Sequence, residues 1–211
     1  MTSPRTTFDE LVARAAGLAV PGERHLLGLC GPPGAGKSTL AARLVEALGD
    51  RAVYVGMDGF HLAQTELVRL GLAERKGAPD TFDAAGYVHL LARLRAHRTD
   101  EVVYAPEFRR EIEEPVACAV PVPPATPLVI TEGNYLLLPD PPWNKVRTLL
   151  DEVWFLAPEE DVRRQRLLDR HRAFGRSLDA ARERTLGSDE ANAQRVNPTA
   201  DSSDLVLRKI P

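Results

Sequence analysis

Eight consecutive residues constrain this chain more than any others: Gly31-Pro32-Pro33-Gly34-Ala35-Gly36-Lys37-Ser38. The stretch fits G-x-x-x-x-G-K-[ST] without a mismatch. Glycines let a backbone turn tightly and approach an anion closely. Successive N–H groups then point inward and cradle phosphate oxygens. In such a loop Lys37 reaches the β- and γ-phosphates of a nucleotide, and the Ser38 hydroxyl ligates Mg²⁺. The plainer alternative is a glycine turn followed by an accidental Lys-Ser, and the flanks argue against it. His25-Leu26-Leu27-Gly28-Leu29-Cys30 reads as a short apolar strand entering the loop. Leu40, Ala41, Leu44, Val45 and Leu48 follow at helical spacing until Gly49 stops the run. Strand, loop and helix is the order that a phosphate cradle requires.

The rest of the chain alternates in the same way. Thr7-Phe8-Asp9-Glu10 has the form of a capping box, and Phe8, Leu11, Val12, Ala15 and Ala16 continue as an amphipathic helix. Short apolar strands are expected at 52–55, 101–104, 128–131, 153–156 and 205–207. Helices are expected at 62–70, after Asp83, at about 159–172 and at 178–193. Residues 106–127 carry Pro106, Pro115, Pro121, Pro123, Pro124 and Pro127. They read as an irregular excursion with at most a short hairpin at Val116–Val120. Strands alternating with helices predict a parallel sheet covered on both faces. Ligands on such sheets bind beyond the carboxyl ends of the strands.

With 211 residues, 44% hydrophobic and 27% charged, the chain is long enough for one α/β domain, and a single domain over 1–211 is expected. A net charge of −3 provides no field for a nucleic acid. No apolar run approaches the roughly 18 residues of a membrane span. Cys30 and Cys118 form neither a disulfide framework nor a zinc pattern, which suits a reducing cytoplasm. The first residues are polar and lack the apolar core of a signal peptide.

Residues that follow strands are the candidates for chemistry. Asp58 follows the second strand, where it would take a proton from an acceptor hydroxyl, hold the water shell of the metal, or simply brace a turn. Glu132 ends an apolar strand, the usual Mg²⁺ side of a phosphate loop. Arg163, Arg166 and Arg170 share one helix face, either as a lid over a triphosphate or as a solvated face paired with Glu159, Glu160, Asp161 and Asp169. Arg75, Lys76, Asp80 and Arg109 lie in loops that could face an acceptor. His61 follows Asp58 closely, and Trp143 and Trp154 read as structural. Asn144-Lys145-Val146-Arg147 lacks the aspartate of a guanine-specificity motif, which counts against a GTPase.

The order of these segments resembles a known family. The loop, "MDGFHL", "RKGAPDTFD", "YAPEFRR", "TEGNYLLL" and the arginine-rich helix occur together in P-loop kinases of the uridine kinase, phosphoribulokinase and pantothenate kinase family. The likeness is greatest to small bacterial proteins of nucleoside or fructose kinase type. The resemblance covers about residues 22–208. It implies a P-loop NTPase fold with a mainly parallel sheet and a helical, arginine-rich lid at about 159–180. It implies ATP on Gly31, Gly34, Ala35, Gly36, Lys37, Ser38 and Thr39, with Mg²⁺ at Ser38 and Glu132. Asp58 becomes the catalytic base, with Lys37, Arg166 and Arg170 serving the transfer. His61, Lys76, Asp80, Arg109 and Tyr135 become the candidate acceptor contacts. The activity implied is γ-phosphoryl transfer to a hydroxyl of a nucleoside, sugar or pantothenate-like molecule, by a monomer or homodimer. The alternatives are a nucleoside monophosphate kinase and a slow ATP-hydrolysing regulatory module.

Overall fold

The computed structural model describes residues 6–209. The first five residues, on which the reading of a polar start partly rests, lie outside that range. Helix α1 (Phe8–Leu18) carries the expected capping box, with the Glu10 amide donating to Thr7 Oγ1 and the Thr7 amide to the Glu10 carboxylate. Strand β1 (His25–Cys30) runs into the glycine loop, and helix α2 (Lys37–Leu48) leaves it. There follow β2 (Ala52–Gly56), α3 (Gln64–Arg69) and α4 (Ala84–Arg95), the last capped by the Asp83 side chain. Strands β3 (Val103–Arg109) and β4 (Glu114–Val122) precede β5 (Leu128–Gly133) and β6 (Glu152–Leu156). Helices α5 (Glu160–Ala173), α6 (Leu178–Leu186) and α7 (Ser188–Val196) lead to β7 (Leu205–Leu207).

The central sheet is parallel, in the order β2-β5-β1-β6-β7. Alternation along the buried strands sorts side chains between two cores. Leu26, Cys30, Val129, Val153 and Phe155 join Tyr87, Leu91 and Trp143 on one face. Leu27, Leu29, Ile130, Trp154 and Leu156 join Leu11, Leu40 and Leu44 on the other. Both faces are therefore covered, as the strand–helix alternation predicts. The register pairs Cys30 with Gly133 and Gly56 with Glu132, so the carboxyl ends of β1, β2 and β5 finish at one level. The candidate residues that follow them meet there.

Two expectations need correction. The 101–104 strand begins at Val103 and stands outside the parallel sheet, pairing antiparallel with β4 in a hairpin of its own. That hairpin occupies most of the stretch expected to be irregular. Its prolines are tolerated because a two-stranded ribbon consists only of edges, where a missing N–H need not break a ladder. The register slips between Ala105 and Glu107, beside Pro106, and Cys118 opposite takes a φ of 56°. The expected 178–193 helix is two helices, α6 and α7, broken at Gly187.

Candidate active site

The glycine loop closes on its own lysine. Lys37 Nζ donates to the carbonyls of Gly31 (2.9 Å) and Pro32 (3.1 Å) and to Asn134 Oδ1 (2.6 Å). Burial lowers the pKa of this ammonium below its ordinary value. Gly36, with φ 93°, precedes α2 without any side-chain cap, so the first amides of a 12-residue helix point into the loop. Such a helix terminus attracts anions through its free N–H groups and its dipole. Gly34 has φ 79°, and a Cβ there would lie 2.7 Å from Leu167 Cγ and 2.8 Å from the Arg163 carbonyl. The loop therefore needs a glycine at this point both for conformation and for the close packing of α5. The geometry fits a polyphosphate on the segment from Gly31 to Thr39.

Glu132 is 4% exposed at the end of β5. Ser38 Oγ (3.2 Å) and the Tyr54 hydroxyl (2.7 Å) both donate to its Oε1. Burial, and then the negative charge of Asp58, raise its pKa above the usual carboxylate range. Among the described residues no cluster of three or more His, Cys, Asp or Glu could hold a metal ion. A serine hydroxyl and one buried carboxylate are nevertheless suitable donors for Mg²⁺. That ion takes few protein oxygens and fills its octahedron with waters and substrate phosphates.

Asp58 lies in the short turn after β2 and lines the same cavity, of about 590 Å³, as Lys37, Ser38 and Glu132. Its carboxylate receives one contact from a cation, Arg110 Nη2 at 3.4 Å. His61 Nδ1 lies 2.8 Å from the Asp58 carbonyl, and its ring packs on Phe82 (centroids 4.0 Å apart) and Phe108 (4.9 Å). Burial lowers the His61 pKa, which favours the neutral ring. His61 is thus both packed among aromatic rings and on the cavity wall.

Arg163, Arg166 and Arg170 of α5 do three different things. Arg163 is fully buried, with its guanidinium on Glu160 (2.7 Å), Glu190 (2.6 Å) and the Pro33 carbonyl (3.3 Å). It fastens the helix to the phosphate loop. Arg166 is exposed and reaches the Ala35 carbonyl at 3.4 Å, outside the cavity lining. Arg170 faces the cavity, and burial followed by the charge of Arg110 holds its pKa below the ordinary value. The first half of α5 is therefore anchored. Of the 159–180 segment, the residues that line the cavity run from Arg170 to Arg176.

Among the expected acceptor contacts, His61 and Lys76 line the cavity and three others do not. Asp80 pairs with Arg75 (3.0 Å) in a separate depression behind Phe82. Arg109 pairs with Glu107 (2.8 Å), because strand alternation turns it to the side opposite Phe108. Tyr135 is fully buried and donates its hydroxyl to the Gly77 carbonyl, propping the loop from behind. Arg110, the neighbour of Arg109, lines the cavity instead. Asn134, Arg184, Asp189 and Asn192 also line the cavity, beyond the residues that the sequence nominates. "TEGNY" contains Asn134, one residue beyond the strand. The others lie in helices with no local signal. Cys30 is buried at the end of β1, its thiol pushed up to about 11 by burial.

A parallel sheet with the order β2-β5-β1-β6-β7, a phosphate loop between β1 and α2, and an arginine-bearing helix over that loop define a P-loop kinase. The chain belongs to the phosphoribulokinase / uridine kinase family, whose model matches residues 26–211. A Schizosaccharomyces pombe protein provisionally named a uridine kinase is 38% identical over 97% of this chain and 92% of its own. A pantothenate kinase of Streptomyces coelicolor is 30% identical over 90% of this chain and 67% of its own. A crystal structure of a provisionally named fructose transport system kinase from Silicibacter superposes with a TM-score of 0.83 at 35% identity, over 95% of this chain and 98% of its own. The protein is a phosphotransferase of this family, as its sequence motifs imply. Among the described residues no helix is long and apolar enough to cross a membrane.

Proposed function

We propose that this kinase moves the γ-phosphoryl group of ATP to a hydroxyl of a small molecule, with Asp58 as the base. The observation that carries the reading is the position of Asp58. It lines one cavity together with Lys37, Ser38 and Glu132 of the candidate phosphate site and with His61, Phe108 and Arg110. A hydroxyl bound between them would give its proton to the Asp58 carboxylate as its oxygen bonds to the γ-phosphorus. The bond from that phosphorus to the β,γ-bridging oxygen breaks, and ADP leaves. Amides at the start of α2 and the Lys37 ammonium would hold the β- and γ-phosphates, and Arg170 would meet charge on the transferring group. Ser38 and Glu132 would hold Mg²⁺, which when bound neutralises phosphate charge. His61 and Lys76 would face the acceptor. The two free cysteines support a cytoplasmic enzyme.

The test is ATP turnover with and without pooled nucleosides, sugars, hydroxy acids and pantothenate, with mass spectrometry of the products. A new phosphate monoester formed in step with ADP supports the proposal. ADP and inorganic phosphate released at the same rate with every pool would replace it with a hydrolytic module.

A further inference from the structure

The acceptor end of the cavity holds two cations beside one aromatic ring. Lys76 Nζ lies 5.5 Å and Arg110 Cζ 5.8 Å from the centroid of Phe108. They come from separate segments, Lys76 from the loop before α4 and Arg110 from the tip of the β3–β4 hairpin. Both line the cavity that contains Asp58.

Lys76 lacks an ion pair among the described residues, and Arg110 has a single, long one, to Asp58. Lys76 Nζ donates to two uncharged oxygens, Gln64 Oε1 (3.3 Å) and the Glu113 carbonyl (2.6 Å), and forms no ion pair with any described residue. Arg110 has five N–H donors and gives one contact to a carboxylate, that of Asp58. Glu74 and Glu113 border the same end, and neither carboxylate pairs with Lys76 or Arg110. By contrast, the buried Arg163 is satisfied by two carboxylates and a carbonyl.

The position of Lys76 is fixed through its main chain. Arg184 of α6 donates to the Lys76 carbonyl (2.6 Å). Asn192 of α7 (3.2 Å) and the Tyr135 hydroxyl donate to the Gly77 carbonyl. The Gly77 amide donates to Thr81 Oγ1 (3.0 Å), and Gly77 takes φ 101°. Four elements thus present a charged side chain to the cavity, an arrangement that a solvated surface lysine does not need.

We propose that the acceptor is an anionic alcohol, with a carboxylate or phosphate group held between Lys76 and Arg110 over Phe108. This deepens the hydroxyl-kinase reading and rests on it. The contact between Arg110 and Asp58 sets the geometry. An anion on the remaining donors of Arg110 lies next to the carboxylate that takes the proton, so the charged group and the reacting hydroxyl are a few bonds apart on one molecule. Arginine suits the planar, two-oxygen face of either group, and lysine adds a point charge. A neutral acceptor would cover Lys76 without supplying a countercharge, which is unfavourable in a partly desolvated site. Arg184, Asn192 and Tyr135 act as positioning residues for Lys76.

The experiment is phosphoryl transfer by the full chain with Mg·ATP to matched series of acceptors. Glycerol, glycerate and glycerol 3-phosphate form one series, and panthenol and pantothenate a second. Ribose and ribose 5-phosphate form a third, and uridine is a neutral comparator. An acid or phosphate member should have a KM at least about tenfold below that of its neutral partner, the scale of one charge-assisted hydrogen bond. The preference within the series assigns the anion as carboxylate or phosphate. Lys76→Met should raise the KM for that acceptor by about the same factor while changing kcat by less than about threefold, and Lys76→Arg should restore much of it. Arg184→Ala should move the same KM in the same direction. Equal or better use of neutral members, or a Lys76→Met variant with an unchanged acceptor KM, overturns the anionic assignment and leaves the kinase reading standing. Failure of every series together with ATP hydrolysis that ignores them all overturns both.

Discussion

At the phosphate end of the cavity one unbroken stretch, Gly31 to Ser38, supplies the amides, the lysine and the hydroxyl, and the strand before it fixes where they point. At the acceptor end Asp58, Lys76 and Arg110 arrive from three segments, and 52 positions separate the first from the last. The first end is preset by local backbone geometry; the second exists only once the hairpin and the α6–α7 pair have packed. Recognition of polyphosphate needs a fixed cradle, whereas recognition of an acceptor can change with loop residues on the same frame.

Substitutions should separate the two ends. Lys37→Ala removes the charge proposed to hold the β- and γ-phosphates, and turnover should fall by at least about 100-fold, the scale of one lost transition-state donor. The far-ultraviolet spectrum should stay unchanged, and normal turnover in this variant would break the phosphate-end account. Next in size, Arg170→Ala should lower kcat by about 10- to 100-fold with little change in ATP affinity, since the charge it meets is greatest in the transition state. Arg166→Ala should lie within about threefold of the parent, its contact being to a loop carbonyl outside the cavity. Steady-state kinetics on the pair checks the division of labour along α5, and equal effects would contradict it.

Tyr54→Phe removes a donor that holds Glu132 in place, so half-saturation in Mg²⁺ should rise by about tenfold, at the low end of what losing a supporting hydrogen bond to a metal ligand does. ATP turnover at a series of Mg²⁺ concentrations is the readout, and an unchanged midpoint would remove Glu132 from the metal. The smallest effect concerns His61. Its folded-state pKa is depressed, chiefly by burial, whereas the unfolded chain takes up a proton below about pH 6.5. Stability contributed by the neutral ring is therefore present above that pH and is lost as pH falls through the folded pKa. The change in thermal stability between pH 7.5 and pH 5.5 should be smaller in His61→Phe than in the parent. Equal changes would mean that the ring is not held neutral.

The same contrast explains what the sequence made legible. The loop, β1 and α2 were readable because motif, apolar run and helical spacing lie side by side. Glu132 and Asp58 were readable because residues that end parallel strands share one level. The sequence nominates Arg109 and not Arg110 because neither residue reveals which way a strand turns its side chains, and the hairpin itself is obscured by prolines that only a two-edged ribbon accepts. Tyr135 and Asp80 sit in family-like segments, yet one is buried as a prop and the other is tied to Arg75. Arg184 and Asn192 carried no signal at all, since hydrogen bonds to the carbonyls of Lys76 and Gly77 are tertiary.

Asp58 is proposed to take the proton of a hydroxyl acceptor. Asp58→Asn preserves shape and removes the basic oxygen. With the acceptor and saturating Mg·ATP, its kcat should fall by about 10²–10⁴-fold, or roughly 3–5 kcal/mol in barrier. Affinity for Mg·ATP, measured by direct titration on the same sample, should stay within about threefold, because the loop and Lys37 are untouched. A near-normal kcat in Asp58→Asn would contradict the assignment, and a loss of rate reversed by added Mg²⁺ would move Asp58 from the proton to the metal.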